Sequence, residues 1–233
     1  MSHASGAATA DARRAGRRPT IAGWVAVASA AAFLLLTVSV LVTDGDPLPG
    51  DVPLHLWALH HRGTAIRRVA RAVTASGTGI WPYLLALAAG LIGTRNGPDR
   101  LRRATLAVAV LATGQAIRFG LMEALARPRP ARTDWATHAS GLSFPSGHST
   151  TSALVAGLLC WALARSAHRT LAGVAQGVAL AWALAVGLTR IQLGVHWPSD
   201  VLAGWCLAGA WLAFLAALMA RLKALPQSAT TTD

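Results

Sequence analysis

GLTRIQLGVHWPSD, residues 187–200, lies between two long apolar runs. Arginine, histidine and aspartate are expensive at the edge of an apolar phase, so Arg190, His196 and Asp200 demand a reason. The flanking runs, roughly 171–189 and 199–220, are long enough to be apolar helices. Further apolar runs cover about 21–42, 80–94, 104–126 and 148–164, separated by Gly, Pro and Arg clusters. The pattern predicts an all-α fold, a bundle of six transmembrane helices.

Composition agrees. The chain is 54% hydrophobic and 13% charged, with a mean hydropathy of +0.46; an average soluble domain is about 25% charged. A single six-span domain over 21–222 accounts for most of the 233 residues. The formal net charge is +12. With no basic domain and no aromatic residues interleaved with basic ones on a soluble face, no nucleic-acid partner is expected. Instead Arg and Lys flank the apolar runs, where they set topology.

Residues 1–20 read as a disordered, basic cytoplasmic tail carrying Arg13, Arg14, Arg17 and Arg18. The run that follows is too long for a signal-peptide core and lacks a small-residue cleavage site, so it is predicted to span. Residues 223–233 read as a second disordered tail. With both termini cytoplasmic, the inner segments hold 12 Lys and Arg and the outer ones 8, with Arg118 inside a span.

The outer segment 54–74 is an exception, since it carries Arg62, Arg67, Arg68 and Arg71. Ile66, Val69, Ala70 and Val73 follow helical spacing. One short amphipathic interfacial helix is predicted there, between helices 1 and 2. It would anchor at headgroups, or form a basic lip attracting anionic lipid at the entrance to a site. Cys160 and Cys206 sit in apolar runs without CxxC spacing and read as small core residues.

Three short stretches hold nearly all the informative polar residues: RPRP at 127–130, FPSGHST at 144–150, and the opening stretch. The predicted topology puts all three on the extracytoplasmic side. Ser146 follows Pro145 at the start of a helix and is an N-cap candidate. Gly147 lets the backbone approach a ligand. Free N–H groups at a helix start favour phosphate, and His148 lies in that first turn. Pro198 suits the first turn of the sixth helix. His196 and Asp200, four apart, can meet across it. A carboxylate on one imidazole nitrogen fixes the tautomer and frees the other as nucleophile or base. Arg190 can fold back over the same space, and Arg129 is held between Pro128 and Pro130. Taken singly these residues read as ordinary helix starts and interfacial histidines. Together on one side of a membrane they read as a phosphoryl-transfer site. No metal and no cofactor is expected, because no metal-binding spacing occurs and the arginines would repel a cation.

These residues resemble the superfamily of type 2 phosphatidic acid phosphatases, which also holds vanadium haloperoxidases and glucose-6-phosphatase. Its signature is a lysine, six residues and Arg-Pro; then Pro-Ser-Gly-His; then Ser-Arg, five residues, His, three residues, Asp. Here Pro145-Ser146-Gly147-His148 matches fully, and Thr189-Arg190, His196 and Asp200 match with Thr in place of Ser. Arg129-Pro130 closes the first motif, and the resemblance covers roughly 75–215. It implies that His196 attacks phosphorus, Asp200 orients it, and His148 protonates the leaving oxygen and later activates water. Arg129, Arg190, Ser146 and the Gly147 backbone would hold phosphate oxygens. The third, fourth and sixth helices would surround the site, with Gly157, Gly204 and Gly209 allowing close helix contacts.

The family's lysine falls on Met122, which cannot bind phosphate. Arg118 lies one helical turn deeper on the same face. It either replaces the missing cation, or pairs with Glu123 or water in the bundle. The expected function is hydrolysis of a phosphate or diphosphate monoester of a lipid. Polyprenyl diphosphate, phosphatidic acid and phosphatidylglycerol phosphate all fit, with the tail left in the bilayer. The alternatives are a phosphotransferase using the same site and a non-catalytic lipid-phosphate binder. No oligomeric state is readable.

Overall fold

The structure is a computed structural model and describes residues 21–92, 97–165 and 168–224. Among them are eight α-helices, one 3-10 turn at Arg132–Asp134, and no strand. The helices are α1 (Ile21–Val42), α2 (Asp51–His60), α3 (Thr64–Ser76), α4 (Trp81–Leu91), α5 (Gly97–Leu125), α6 (Gly147–Leu163), α7 (Arg169–Gln192) and α8 (Pro198–Ala224). The tail at 1–20 and most of that at 223–233 lie outside the described residues; the backbone of α8 runs on to Ala224.

The chain is built as a membrane protein. α1, α5, α7 and α8 are each long and apolar enough to cross a bilayer. Their outer faces expose Leu34, Leu35, Val174, Val178, Leu188 and Phe214, an apolar surface that calls for a non-aqueous solvent. The core between them is built largely of small residues. Ala86 and Ala89 of α4, Ala107 and Leu111 of α5, Leu154, Val155, Leu158 and Ala162 of α6, and Ala208 of α8 form one buried cluster. Gly157 packs against Leu212, and Gly209 against Ser29. Without a hydrophobic gain between helices in lipid, such close backbone packing holds a bundle together.

Two expectations need correction. The apolar run at 80–94 does not make a span by itself. α4 has 11 residues, about 17 Å at 1.5 Å per residue, against the ~30 Å of a hydrocarbon core. It is paired with α3, and only together, with a bend of 53° between them, are the two long and apolar enough to cross. The break falls at Gly77-Thr78-Gly79, where Gly79 has a positive φ. The segment at 54–74 is likewise not one amphipathic helix. It divides into α2 and α3 at His61-Arg62-Gly63. α2 turns Asp51, His55 and Ala58 inward. α3 buries Ala70 and Thr74 and leaves Ile66 and Val69 exposed, so half of the apolar stripe packs on protein.

α1 packs on α8, α6 packs between α7 and α8, and α3 lies on α7. The later half of α5, the start of α6, the end of α7 and the start of α8 meet at one end of the bundle.

Candidate active site

Two glycines allow the meeting. A side chain at Gly204 would come within 2.8 Å of the Ser146 carbonyl oxygen and 2.9 Å of Ser149 Cβ. Its absence lets the start of α8 lie against the start of α6, where the Ser146 N–H donates to the Asp200 carbonyl at 3.0 Å. Gly194 has φ +74, and a side chain there would strike the Asp134 carbonyl. That residue turns the chain from α7 toward His196.

His196 is buried, and both ring nitrogens are engaged. Nδ1 faces Asp200 Oδ2 at 3.3 Å, and Nε2 is 2.7 Å from Arg129 Nη1. Asp200 Oδ2 also accepts the Trp197 N–H at 2.9 Å, so the helix start holds the carboxylate toward the ring. A proton on Nδ1 therefore leaves the Nε2 lone pair to accept from Arg129 and to face the cavity. Burial pushes the His196 pKa well below the ordinary histidine value, and Arg129, Arg190 and Arg118 push it further in the same direction. The imidazole is therefore neutral at neutral pH. Burial also lowers Arg129 to about 10, with Asp200 opposing and Arg118 adding; it remains a cation. Arg129 Nη1 donates to the Val195 carbonyl, and Nε and Nη2 donate to Gly141 and Ser140.

A cavity of about 840 Å³ opens in front of these groups, lined by Arg118, Arg129, Gly147, His148, Arg190 and His196 among others. Six of the expected site residues thus share one space. Arg190, on the last turn of α7, is buried; Nη1 donates to Thr74 Oγ1 at 3.0 Å and Nε has no partner among the described residues. Arg118 rises from α5 to lie over Gly147. Its Nε donates to the Pro145 carbonyl at 3.0 Å, and its Nη2 lies 3.1 Å from Met122 Sδ. The residue at the lysine position thus touches the cation one turn below it, and the guanidinium reaches the helix start rather than Glu123.

Ser146 and Asp200 do not line the cavity. Asp200 stands behind His196, facing its Nδ1. Ser146 takes the N-cap position of α6 without a side-chain cap. Its hydroxyl is fully buried and accepts from Ser149 Oγ in the first turn of the same helix at 3.0 Å, while its backbone N–H makes the contact to α8.

Sequence reasoning missed a group behind the site. Arg127 is fully buried. It donates to Asp200 Oδ1 at 2.7 Å, to Ser199 Oγ at 2.8 Å and to Asp51 Oδ2 at 2.8 Å. Asp51, the first residue of α2, also accepts the Ser199 N–H at 2.8 Å. The one signal present was the first arginine of RPRP. Residues before proline are extended, and in a three-residue-per-turn conformation positions two apart point in different directions. Arg127 and Arg129 accordingly reach different partners, Arg127 the carboxylates of Asp200 and Asp51 and Arg129 the ring of His196.

With this geometry in view, the comparisons are direct. The sequence profile of the PAP2 superfamily matches residues 103–224. Phosphatidylglycerophosphatase B of Bacillus subtilis is 35% identical over 141 residues, 58% of this chain and 64% of that protein. A lipid A 1-phosphatase of Rhizobium etli is 38% identical over 87 residues, 37% of this chain and 33% of that protein. This chain therefore spans less than two thirds of either relative's length. The crystal structure of a transmembrane PAP2 type phosphatidylglycerolphosphate phosphatase from Bacillus subtilis superposes with a TM-score of 0.69 at 26% identity, covering 88% of this chain and 99% of that one. The profile match covers every residue lining the cavity from Arg118 to His196, and on that ground the chain belongs to the PAP2 superfamily.

Proposed function

We propose that this protein is an integral membrane lipid phosphatase that releases phosphate through a phosphohistidine on His196. The observation that carries the reading is the His196 ring. It is clamped by Asp200 on Nδ1, while Nε2 opens toward a cavity that three arginines and His148 also line. A phosphate entering there displaces Arg129 from Nε2 and takes up its N–H groups, with the free Nε of Arg190 beside it. Nε2 attacks phosphorus, and the bond to the leaving lipid oxygen breaks as His148 supplies that oxygen with a proton. Water, deprotonated by His148, then breaks the P–N bond and releases phosphate. The arginines hold charge on the equatorial oxygens, where it is greatest in the transition state. Arg118 supplies the third cation in place of the lysine lost at Met122. No metal is needed for any of these steps.

The chain crosses the membrane six times in this reading, with α3 and α4 as one bent span and α6 as another. The ends of α5 and α7 and the starts of α6 and α8 meet at the site, so successive helices alternate in direction. Positive charge favours cytoplasmic termini and an extracytoplasmic site, with α2 on the outer surface. The relatives act on phosphatidylglycerophosphate and lipid A by name. Phosphatidic acid, phosphatidylglycerol phosphate and polyprenyl diphosphate all present the same terminal phosphate.

The test is phosphate release from these three lipids by purified protein in detergent with EDTA, beside His196→Ala. Release that survives EDTA and is lost in the variant, with an acid-labile phosphoenzyme trapped from wild type, supports the reading. Phosphoryl transfer to an added alcohol in preference to water points to a transferase. Binding without turnover points to a lipid-phosphate binder, the reading that Met122 favours.

A further inference from the structure

We propose that Arg127, held in place by Asp51, is a positioning residue of this reaction: it fixes the carboxylate of Asp200, and through it the ring of His196. The proposal rests on the phosphatase reading and adds to it a residue pair that touches neither substrate nor phosphate.

Asp200 is gripped from two sides. Oδ2 takes the Trp197 N–H and faces His196 Nδ1, while Oδ1 takes Arg127 Nη1 at 2.7 Å. Turning the carboxylate away from the ring would break both sets of bonds. Arg127 cannot turn either. Its Nε donates to the Gly45 carbonyl at 3.2 Å, and Nη2 donates to the Asp46 carbonyl at 3.1 Å and to Asp51 Oδ2 at 2.8 Å. Together with Ser199 and Asp200 these partners use all five of its N–H groups. Asp51 is fixed in turn, accepting from Leu48 N at 2.9 Å and from Ser199 N and Oγ at 2.8 and 2.6 Å.

The division of Arg127 between two carboxylates has a chemical consequence. A guanidinium beside one carboxylate tends to close on both of its oxygens. Closing on Asp200 would take Oδ2 away from His196. Asp51 draws the other half of the fork toward α2, so Arg127 meets Oδ1 alone. When Nε2 bonds to phosphorus the ring becomes cationic, and Oδ2 must be oriented and ionised to meet Nδ1–H. α2 therefore belongs to the catalytic framework through Asp51.

The experiment uses the full chain in detergent with phosphatidic acid as substrate and orthovanadate as phosphate analogue. Asp51→Asn keeps the acceptor for Ser199 and removes the charge; Arg127→Gln and Arg127→Lys remove the fork. Expected for Asp51→Asn and Arg127→Gln is a kcat on the order of 10- to 100-fold lower, the size typical for outer partners of metal-bound histidines. KM and the vanadate inhibition constant should stay within about twofold of wild type. Arg127→Lys should recover part of the loss, and Asp51→Asn on Asp200→Asn should be no slower than Asp200→Asn alone. If Arg127→Gln fails to fold, Asp51→Asn and Arg127→Lys decide. A folded Asp51→Asn with wild-type kcat overturns the proposal, as do additive losses in the double variant or a loss confined to KM. Wild type inactive on every lipid phosphate would instead overturn the phosphatase reading, and this one with it.

Discussion

Arg127 and Arg190 lie on opposite sides of the same histidine and have opposite environments. Arg127 is sealed, with every N–H bonded to protein. Arg190 is also buried, yet it keeps a free Nε and lines the cavity. Burying a guanidinium is expensive unless it is paired. A cation saturated by the protein has no N–H left for a ligand, whereas one that lines a cavity with an N–H to spare suits the anion-holding role proposed for it. Arg129 lies between these extremes, since its bond to His196 is one that a phosphate can replace.

The sharpest break of this contrast is His196→Ala. Removing a nucleophile should lower kcat by about 10⁴-fold or more, measured as phosphate release. Asp200→Asn should follow with a loss on the order of 10²- to 10⁴-fold, because the wrong tautomer puts the proton on Nε2. The framework and the receptors should then separate in stability. Arg127→Ala leaves Asp200 and Asp51 uncompensated, which costs about 3–5 kcal/mol, whereas Arg118→Ala should leave the melting temperature in detergent nearly unchanged. A large drop for Arg118→Ala would make Arg118 part of the framework.

Arg118→Ala should instead lower kcat/KM by roughly 10- to 100-fold, the worth of one charged hydrogen bond. Met122→Lys on that background should restore much of it. Full activity of Arg118→Ala would end the idea that Arg118 replaces the lysine. The smallest effect is on pH. The His196 pKa is held below the usual histidine range. A protonated ring cannot attack, so the acid limb of kcat/KM should lie below about pH 6.5. Arg129→Gln removes one of the depressing charges and should move that limb upward. A limb already at the ordinary value in wild type would mean that His196 is more hydrated than the structure shows.

Much of this site can be read from the chain because its parts are local. His196 and Asp200 are one helical turn apart, Gly147 and His148 open a helix, and Arg118 lies one turn below Met122. Ser146 shows the limit of such reading, since it holds the N-cap position but its hydroxyl turns to Ser149 in the first turn of its own helix and does not line the cavity. The reading of 54–74 as one helix failed at Arg62-Gly63. Helical spacing was present on both sides of the break, but Asp51 and His55 turn inward to partners far along the chain, Ser199 and Asp134.

An apolar helical bundle, and a set of residues suited to phosphoryl chemistry, were legible in the chain alone. Both follow from hydropathy and from spacings within a turn or two of helix. Which arginines are sealed and which face the cavity came from the folded arrangement. It also showed that α3 and α4 pair at a bend and that Asp51 joins the site from 148 residues away along the chain. Burial and charge pairing are properties of space shared by distant segments, and no local pattern in the chain encodes them.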